Sequence, residues 1–337
     1  MVKNLDIQNF KSIKQLKLDC KRINVFIGRP NTGKSNILES LGLFSILHQH
    51  GVSLKDFVRF ENMTNLFYDQ DLGEKIFVGA DGSNYGLHFF NGVFHMKGVY
   101  LASGGGEGAA QFQFRFGFDY DGGLKTGERT GQDPTTLAKL TYKFYKFAVL
   151  KEFSSQDANF LLPPRGENLL SLLLTNKALK KTVADLFSEF GLRLVFEPQA
   201  GIIKVQKEIE DVIISYPYSL VSDTLQRVVF HLAAIETNKR SIIIFEEPES
   251  HAFPYYTKFL AERIALDASN QYFIATHNPY FLMSVLEKAP KEDIGVFITY
   301  FEDFQTKVKP LSEGDVQEVM DLDESIFFNL DRFLDKG

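Results

Sequence analysis

Leu5 and Ile7, then Leu16 and Leu18, are apolar positions separated by polar ones, the period of half-buried strands. The run Ile23-Asn24-Val25-Phe26-Ile27 predicts a short strand that leads directly into Gly28. Past Ser35 the spacing becomes helical, with Ile37, Leu38, Leu41, Leu43 and Phe44 recurring on one side. The early chain therefore reads as strand, glycine-containing turn, helix.

From about Lys75 to Phe147 the pattern is one of antiparallel strands joined by Gly and Asp turns. Phe112, Phe114, Phe116, Phe118 and Tyr120 alternate with Gln111, Gln113, Arg115 and Gly117. Such a stripe is either the buried face of a one-sided sheet or a platform for stacking bases. Asp121 to Pro134 reads as a mobile loop excursion. Helical patterning follows from Glu167 to Phe190, then a hairpin over Leu192 to Ser215 that turns near Gln199-Ala200-Gly201. The last third alternates: a helix from about Ser222 to Glu236, a strand at Ile242 to Phe245, a helix after Pro254 and a strand at Tyr272 to Ala275. Alternation of this kind predicts an α/β fold with parallel strands.

Composition narrows the classes without choosing among them. A chain of 337 residues that is 44% hydrophobic buries a full core, which excludes disorder for its bulk. A net charge of -6 works against nonspecific nucleic-acid binding, so such contact is expected to be indirect if it occurs. The one cysteine, Cys20, has no internal disulfide partner and is given no role. Lys3 and Asp6 interrupt the N-terminus where a signal peptide needs an apolar core, and no apolar run approaches bilayer-spanning length. A cytoplasmic location and no membrane contact are expected. The absence of heptads excludes a coiled-coil arm.

Gly28-Arg29-Pro30-Asn31-Thr32-Gly33-Lys34-Ser35 matches the phosphate-binding pattern G-x-x-x-x-G-K-[ST] and lies between a strand and a helix, as that chemistry requires. Glycines let the backbone bend around a phosphate with its amides inward, and the helix N-terminus adds partial positive charge. Gly28, Asn31, Thr32, Gly33, Lys34 and Ser35 are thus the nucleotide-binding candidates, with Lys34 also catalytic at the β- and γ-phosphates and Ser35 a Mg2+ ligand. A second acidic element is expected, and Ser241-Ile242-Ile243-Ile244-Phe245-Glu246-Glu247-Pro248 supplies an apolar strand ending in two carboxylates. Glu246 is the metal-side acid and Glu247 the group that polarises water. In Tyr272-Phe273-Ile274-Ala275-Thr276-His277-Asn278-Pro279, His277 follows a strand that should neighbour the acidic one, where it can meet the γ-phosphate or Glu247.

Phe10-Lys11-Ser12, the Gly28 to Ser35 loop, Glu246-Glu247-Pro248-Glu249-Ser250-His251 and Thr276-His277-Asn278-Pro279 together resemble the ABC-type ATPases of the SMC, RecF and OLD-like group. The resemblance covers residues 1 to 48 and 216 to 300. It implies an ABC-like head with a mixed sheet around the P-loop helix, an antiparallel β-rich insertion and a helical segment. Residues 1–337 would form a single ABC-like domain, with a lobe at 1–74, the insertion at 75–215, and the remaining motifs and C-terminal helices at 216–337. It also implies ATP and Mg2+ as cofactors, ATP-driven homodimerisation, and Lys11 and Ser12 near the nucleotide. A signature segment that touches the partner's phosphate falls at Tyr218 to Arg227, with Ser222 as its phosphate contact, although the glycine expected after Ser222-Asp223 is absent. Ser222 is equally readable as a helix N-cap. Gln70 stands where the group has a metal-linked glutamine. Arg165 is a phosphate contact or a surface arginine, and Glu249, His251 and His277 read as polar packing rather than a metal site.

Members of the OLD branch carry a Toprim nuclease domain, for which the segment after the ATPase core, including amphipathic Asp315 to Leu334, leaves no room. A separate effector such as a nuclease is therefore expected, in nucleic-acid maintenance or phage defence. A nucleotide-gated scaffold with negligible turnover is the alternative. A GTPase is a third, but Asp119-Tyr120-Asp121-Gly122 matches its second motif by string only, and Asn176-Lys177-Ala178-Leu179 lacks the guanine-binding aspartate.

Overall fold

Ile23, Val25 and Ile27 point to one side of strand β3 (Ile23–Gly28) and Phe26 to the other, and all four are fully buried. A strand with both faces covered belongs at the centre of a layered α/β fold. The polar residue within it, Asn24, is satisfied by the carbonyls of Lys21 at 2.8 Å and Tyr272 at 3.0 Å. The computed structural model describes residues 1–48, 53–101, 111–129, 141–155 and 158–334.

Three sheets organise these residues. The first, seven-stranded and antiparallel, begins with β1 (Asn4–Phe10) and β2 (Ile13–Asp19) and continues through β4 (Ile76–Ala80), β5 (Ser83–Phe90), β6 (Val93–Leu101), β7 (Gln111–Phe118) and β8 (Leu124–Arg129), in the order β2-β1-β4-β5-β6-β7-β8. In the second, six-stranded sheet, β3 is flanked by β14 (Gln271–Ala275) and β15 (Ile294–Glu302). Beyond β14 lie β13 (Ile242–Glu246) and β9 (Tyr142–Tyr145), and beyond β15 lies β16 (Gln305–Pro310). All neighbours here are parallel except the β15–β16 pair. β10 (Arg193–Glu197), β11 (Ile202–Ile209) and β12 (Val212–Pro217) make a small antiparallel sheet.

One face of the central sheet packs against helix α1 (Lys34–Gly42) and the antiparallel sheet, where Phe26, Ile37, Leu38, Ile244 and Phe273 share one core. The other face packs against α4 (Asp223–Thr237), α5 (Pro254–Leu266) and α6 (Pro279–Lys288), through Val25, Ile243, Ile274, Val229, Leu260 and Phe281. Helices α2 (Leu169–Thr175) and α3 (Lys177–Ser188) extend that second core, and α7 (Glu313–Leu322) and α8 (Asp331–Leu334) close it.

The expected α/β head with a β-rich insertion and a helical segment is thus what the chain forms, but three local expectations change. Tyr142–Tyr145, expected in an antiparallel run, pairs in parallel with β13 at the edge of the central sheet, because its four side chains are all buried and need two covered faces. Part of the expected loop excursion is strand β8, whose Lys125 and Glu128 suit an exposed edge. The rest of that excursion, 130–134, lies outside the described residues. The expected hairpin is a three-stranded meander, since Glu210 and Asp211 adopt φ of 47° and 65° and turn the chain a second time. Phe114, Phe116 and Phe118 are buried, so the aromatic stripe is core and not a stacking platform. Asn176 of the GTPase-like string caps α3 through Leu179 N–H at 3.0 Å.

Candidate active site

The parallel register β3-β14-β13 delivers three loops to one edge of the central sheet: the Gly28 turn, the Thr276-His277 turn and the Glu246-Glu247 turn. Gly33, at φ 97°, is the N-cap of α1, and no side chain caps the helix and no acid sits in its first turn. Its leading amides are left for an anion. A Cβ on Gly28 would lie 2.3 Å from the Thr299 carbonyl oxygen, and one on Gly33 would lie 2.0 Å from Thr306 Oγ1. Strands β15 and β16 therefore wall the turn so closely that only glycine fits there. Thr32 Oγ1 ties it further, to Arg29 O at 2.9 Å and Thr299 Oγ1 at 2.7 Å. Asn31, at φ 61°, is the exposed tip.

Lys34 curls back over the turn, its ammonium donating to Gly28 O at 2.9 Å and Arg29 O at 2.8 Å. Burial pushes its pKa down to about 8 against the pull of Glu247 and Glu246. Ser35 Oγ donates to Glu246 Oε1, which joins the first turn of α1 to the end of β13. Glu247 follows at φ 44°, a strained conformation held by its own N–H to Ala275 O at 2.9 Å. Its carboxylate accepts from Ser250 Oγ at 3.0 Å and faces His277 Nε2 at 3.6 Å. Burial, then the Lys34 charge, lower the His277 pKa, so the imidazole is neutral at neutral pH. Asn278 caps α6 through Phe281 N–H at 3.1 Å, which fixes the His277 turn.

Other candidates fall around this centre. Ser12 Oγ accepts from Asn36 Nδ2 at 2.7 Å and meets Thr306 Oγ1 at 2.7 Å, beside the P-loop helix. The Lys11 ammonium is engaged by Glu39 Oε2 at 2.5 Å and Arg59 O at 2.6 Å. Ser222 caps α4, accepting from Leu225 N–H at 3.4 Å, while Thr224 Oγ1 donates to His251 O at 2.8 Å. The start of α4 and the loop after Glu247 are thereby in contact. Gln70 is exposed and bonds Thr64 Oγ1 at 3.2 Å, with no hydrogen bond to Ser35 or Glu246. Arg165 pairs with Asp56 at 2.8 Å. Among the described residues no cluster of three or more His, Cys, Asp or Glu side chains is arranged to hold a metal. Glu249 instead takes the Thr276 hydroxyl, and His251 faces Asp223 at 3.9 Å.

Sequence reasoning missed Arg59, whose guanidinium donates to Glu39 Oε1 at 2.8 Å and Glu246 Oε1 at 3.0 Å. It missed Glu39, Thr299 and Thr306 as well. The helical register that put Ile37 and Leu38 in the core also marked Glu39 as an acid in a buried stretch of α1, and that was the one available signal. The residues fit a magnesium nucleotide: an uncapped helix N-terminus and Lys34 for phosphates, and the hard oxygens of Ser35 and Glu246 side by side for the ion.

Family comparisons agree with this geometry. Residues 1–87 match the family model described as an AAA ATPase domain. Residues 191–284 match the one described as an AAA domain, putative AbiEii toxin, Type IV TA system. No curated protein matches the chain. Among solved structures, the SmcHead bound to the C-winged helix domain of ScpA is similar at 13% identity with a TM-score of 0.54, over 94% of this chain and 99% of that one. The SMC head domain from Thermotoga maritima aligns at 16% identity over 92% of this chain and 99% of that one, with a TM-score of 0.39, too low to add weight. The chain therefore carries two stretches similar to AAA-type ATPase domains and shares the fold of the SmcHead. It is an ATP-hydrolysing enzyme built on the SMC-head fold.

Among the described residues no helix is long and apolar enough to cross a membrane. Cys20, expected to have no role, is a free thiol whose pKa burial pushes up to about 12, which leaves it unreactive.

Proposed function

We propose that the chain binds Mg-ATP in the turn Gly28 to Ser35 and hydrolyses it slowly, using ATP-dependent homodimerisation to gate a separate effector. The observation that carries this reading is the Ser35–Glu246 contact, with Glu247 and His277 3.6 Å apart beside it. Lys34 and the α1 amides hold the phosphates. Glu247 takes the proton from the attacking water, and neutral His277 donates toward the same region. Mg2+ held by Ser35 and Glu246, when bound, neutralises phosphate charge. Gln70 joins that group only if its segment moves on nucleotide binding.

Ser222 at the α4 N-terminus faces the second copy's nucleotide, and the loop after Glu247, which Thr224 contacts at His251 O, transmits occupancy between the two sites. A role in nucleic-acid maintenance or phage defence draws support from the OLD-like resemblance and from the toxin–antitoxin description of the matched family. The structurally similar SmcHead binds another protein, ScpA, which makes a protein effector the reasonable class of partner. A cytoplasmic location fits that role. The missing glycine after Ser222-Asp223 favours slow turnover, and a scaffold that hardly hydrolyses is the second reading.

The test is Glu247→Gln. Hydrolysis is expected to fall at least about a hundredfold, the usual contribution of a positioned base. With saturating ATP the variant should run as a dimer in light scattering and retain its effector in a pull-down. Normal hydrolysis, or a monomer with ATP bound, would remove Glu247 from the role.

A further inference from the structure

Two cations and two acids form a chain beneath the P-loop helix. Lys11 Nζ binds Glu39 Oε2 at 2.5 Å, Glu39 Oε1 binds Arg59 Nε at 2.8 Å, and Arg59 Nη2 binds Glu246 Oε1 at 3.0 Å. Glu39 is fully buried, with 2% of its side chain exposed, and these two cations, with the Arg59 backbone N–H at 3.4 Å, compensate its charge. Arg59 is held a second time by its own carbonyl, which accepts from Lys11 Nζ at 2.6 Å. Its side chain is nevertheless 58% exposed, so the end that reaches Glu246 has solvent beside it into which it can swing while the backbone stays anchored.

The point of attachment gives Arg59 its meaning. Glu246 Oε1 accepts from both Ser35 Oγ and Arg59 Nη2. The carboxylate oxygen that adjoins the serine hydroxyl, and that a divalent cation would share with it, is thus already neutralised by a resident cation. Burial alone would lower the Arg59 pKa, and the attraction of Glu246 and Glu39 more than offsets it, so the guanidinium stays charged at any working pH.

We infer that Arg59 is an internal counter-ion that competes with the divalent cation for Glu246. It is a positioning residue: it keeps Glu246 and Ser35 together before the metal arrives, and it makes metal entry depend on the triphosphate. A bare divalent cation has to displace a guanidinium without compensation. A cation that arrives with ATP brings the negative charge that lets Arg59 leave. The inference rests on the proposed metal role of Ser35 and Glu246.

The test uses the whole chain and Mn2+ as the probe, with loss of the free Mn2+ signal in electron paramagnetic resonance as the readout. Without nucleotide, Arg59→Gln, which keeps a hydrogen-bond donor but loses the charge, is expected to bind Mn2+ about tenfold more tightly than the wild type, within the range for groups that share one partner. Arg59→Ala is expected to do the same, and Arg59→Lys to stay near the wild type. With ATP present the advantage of the two neutral variants should shrink. Circular dichroism identifies any variant that fails to fold, and the other neutral variant then decides. If the folded neutral variants bind Mn2+ no more tightly than the wild type, the counter-ion role is refuted. If Glu246→Gln leaves Mn2+ binding intact in every background, the metal assignment itself fails, and the two failures are thereby distinguishable.

Discussion

Glu249 sits two residues after the proposed base, with 5% of its surface exposed and no cation beside it among the described residues. Its Oε1 accepts from the Thr276 hydroxyl, and its Oε2 has no hydrogen-bond partner. Burial pushes its pKa up from 4.5 to about 7, with the Thr276 hydroxyl and backbone amides offsetting part of the rise. The sign of the resulting linkage is the reverse of the usual carboxylate. Between those two values the unfolded chain has lost the proton while the folded chain keeps it, so stability falls as pH rises through that window and levels off above it. For the pKa values cited, the loss between pH 5 and pH 8 comes to about 2.5 kcal/mol. Glu249→Gln keeps the shape and removes the titration. Its unpaired amide adds a constant offset that does not depend on pH. His231, which burial holds down to about 4, acts in the opposite sense below pH 6.5, but it is present in both proteins and cancels in their difference. Urea unfolding of wild type and variant at half-unit steps from pH 5 to 8 therefore gives a difference curve. The variant should gain on the wild type by about 2.5 kcal/mol across the range, and a flat curve would show that Glu249 is ionised in the folded protein at all these pH values.

Two further outcomes follow from single contacts. Gly33→Ala should cost at least tenfold in ATP affinity by calorimetry, because its φ of 97° and the Thr306 hydroxyl 2.0 Å from the new Cβ both oppose it; Thr306→Ala should not restore binding, since the backbone strain remains. Tyr100→Phe should lower the unfolding free energy by about 1–3 kcal/mol in urea, since the hydroxyl is the acceptor for the N–H of Thr141 and of Tyr142, which would be left unpaired in the core.

What was legible in the sequence was local in the chain. The strand Ile23–Gly28, the turn and helix α1 announce themselves by a change of period at two glycines, and Glu246-Glu247 by an apolar strand stopped by Pro248. The same holds for His277, placed by the Tyr272 to Ala275 strand that does pair with β13. What stayed hidden was set by contacts between distant residues. Arg59 is a lone charge in a loop, and nothing within the sequence says that it will span Glu39 and Glu246. Thr299 and Thr306 line the phosphate turn from strands that follow it by more than two hundred residues in the chain. Strand β9 carries Lys143 within an otherwise aromatic stretch, and its alternation resembles the hairpins before it; only the burial of all four residues distinguishes a core edge from a surface one. Lys143 itself is satisfied by Asn238 Oδ1 at 2.5 Å, a partner ninety-five residues away.

The order of the strands explains why these separate motifs make one site. β14 lies between β3 and β13, so the phosphate turn and the acidic turn are two strand spacings apart, about 10 Å. If the two strands were adjacent, the acids would crowd the phosphate-binding turn; one strand further apart, and Ser35 would not reach them. The intervening strand also ends in its own turn, which puts His277 between the two others. Helix α1 then closes the gap from above: it packs over β14 and β13, so its first turn carries Ser35 across to Glu246 while Lys34 stays over Gly28. Glu247 completes the arrangement at the cost of a left-handed φ of 44°, which turns its side chain away from the strand and toward His277. Relaxing that residue to extended backbone would point the carboxylate elsewhere, so the strain is what aims it.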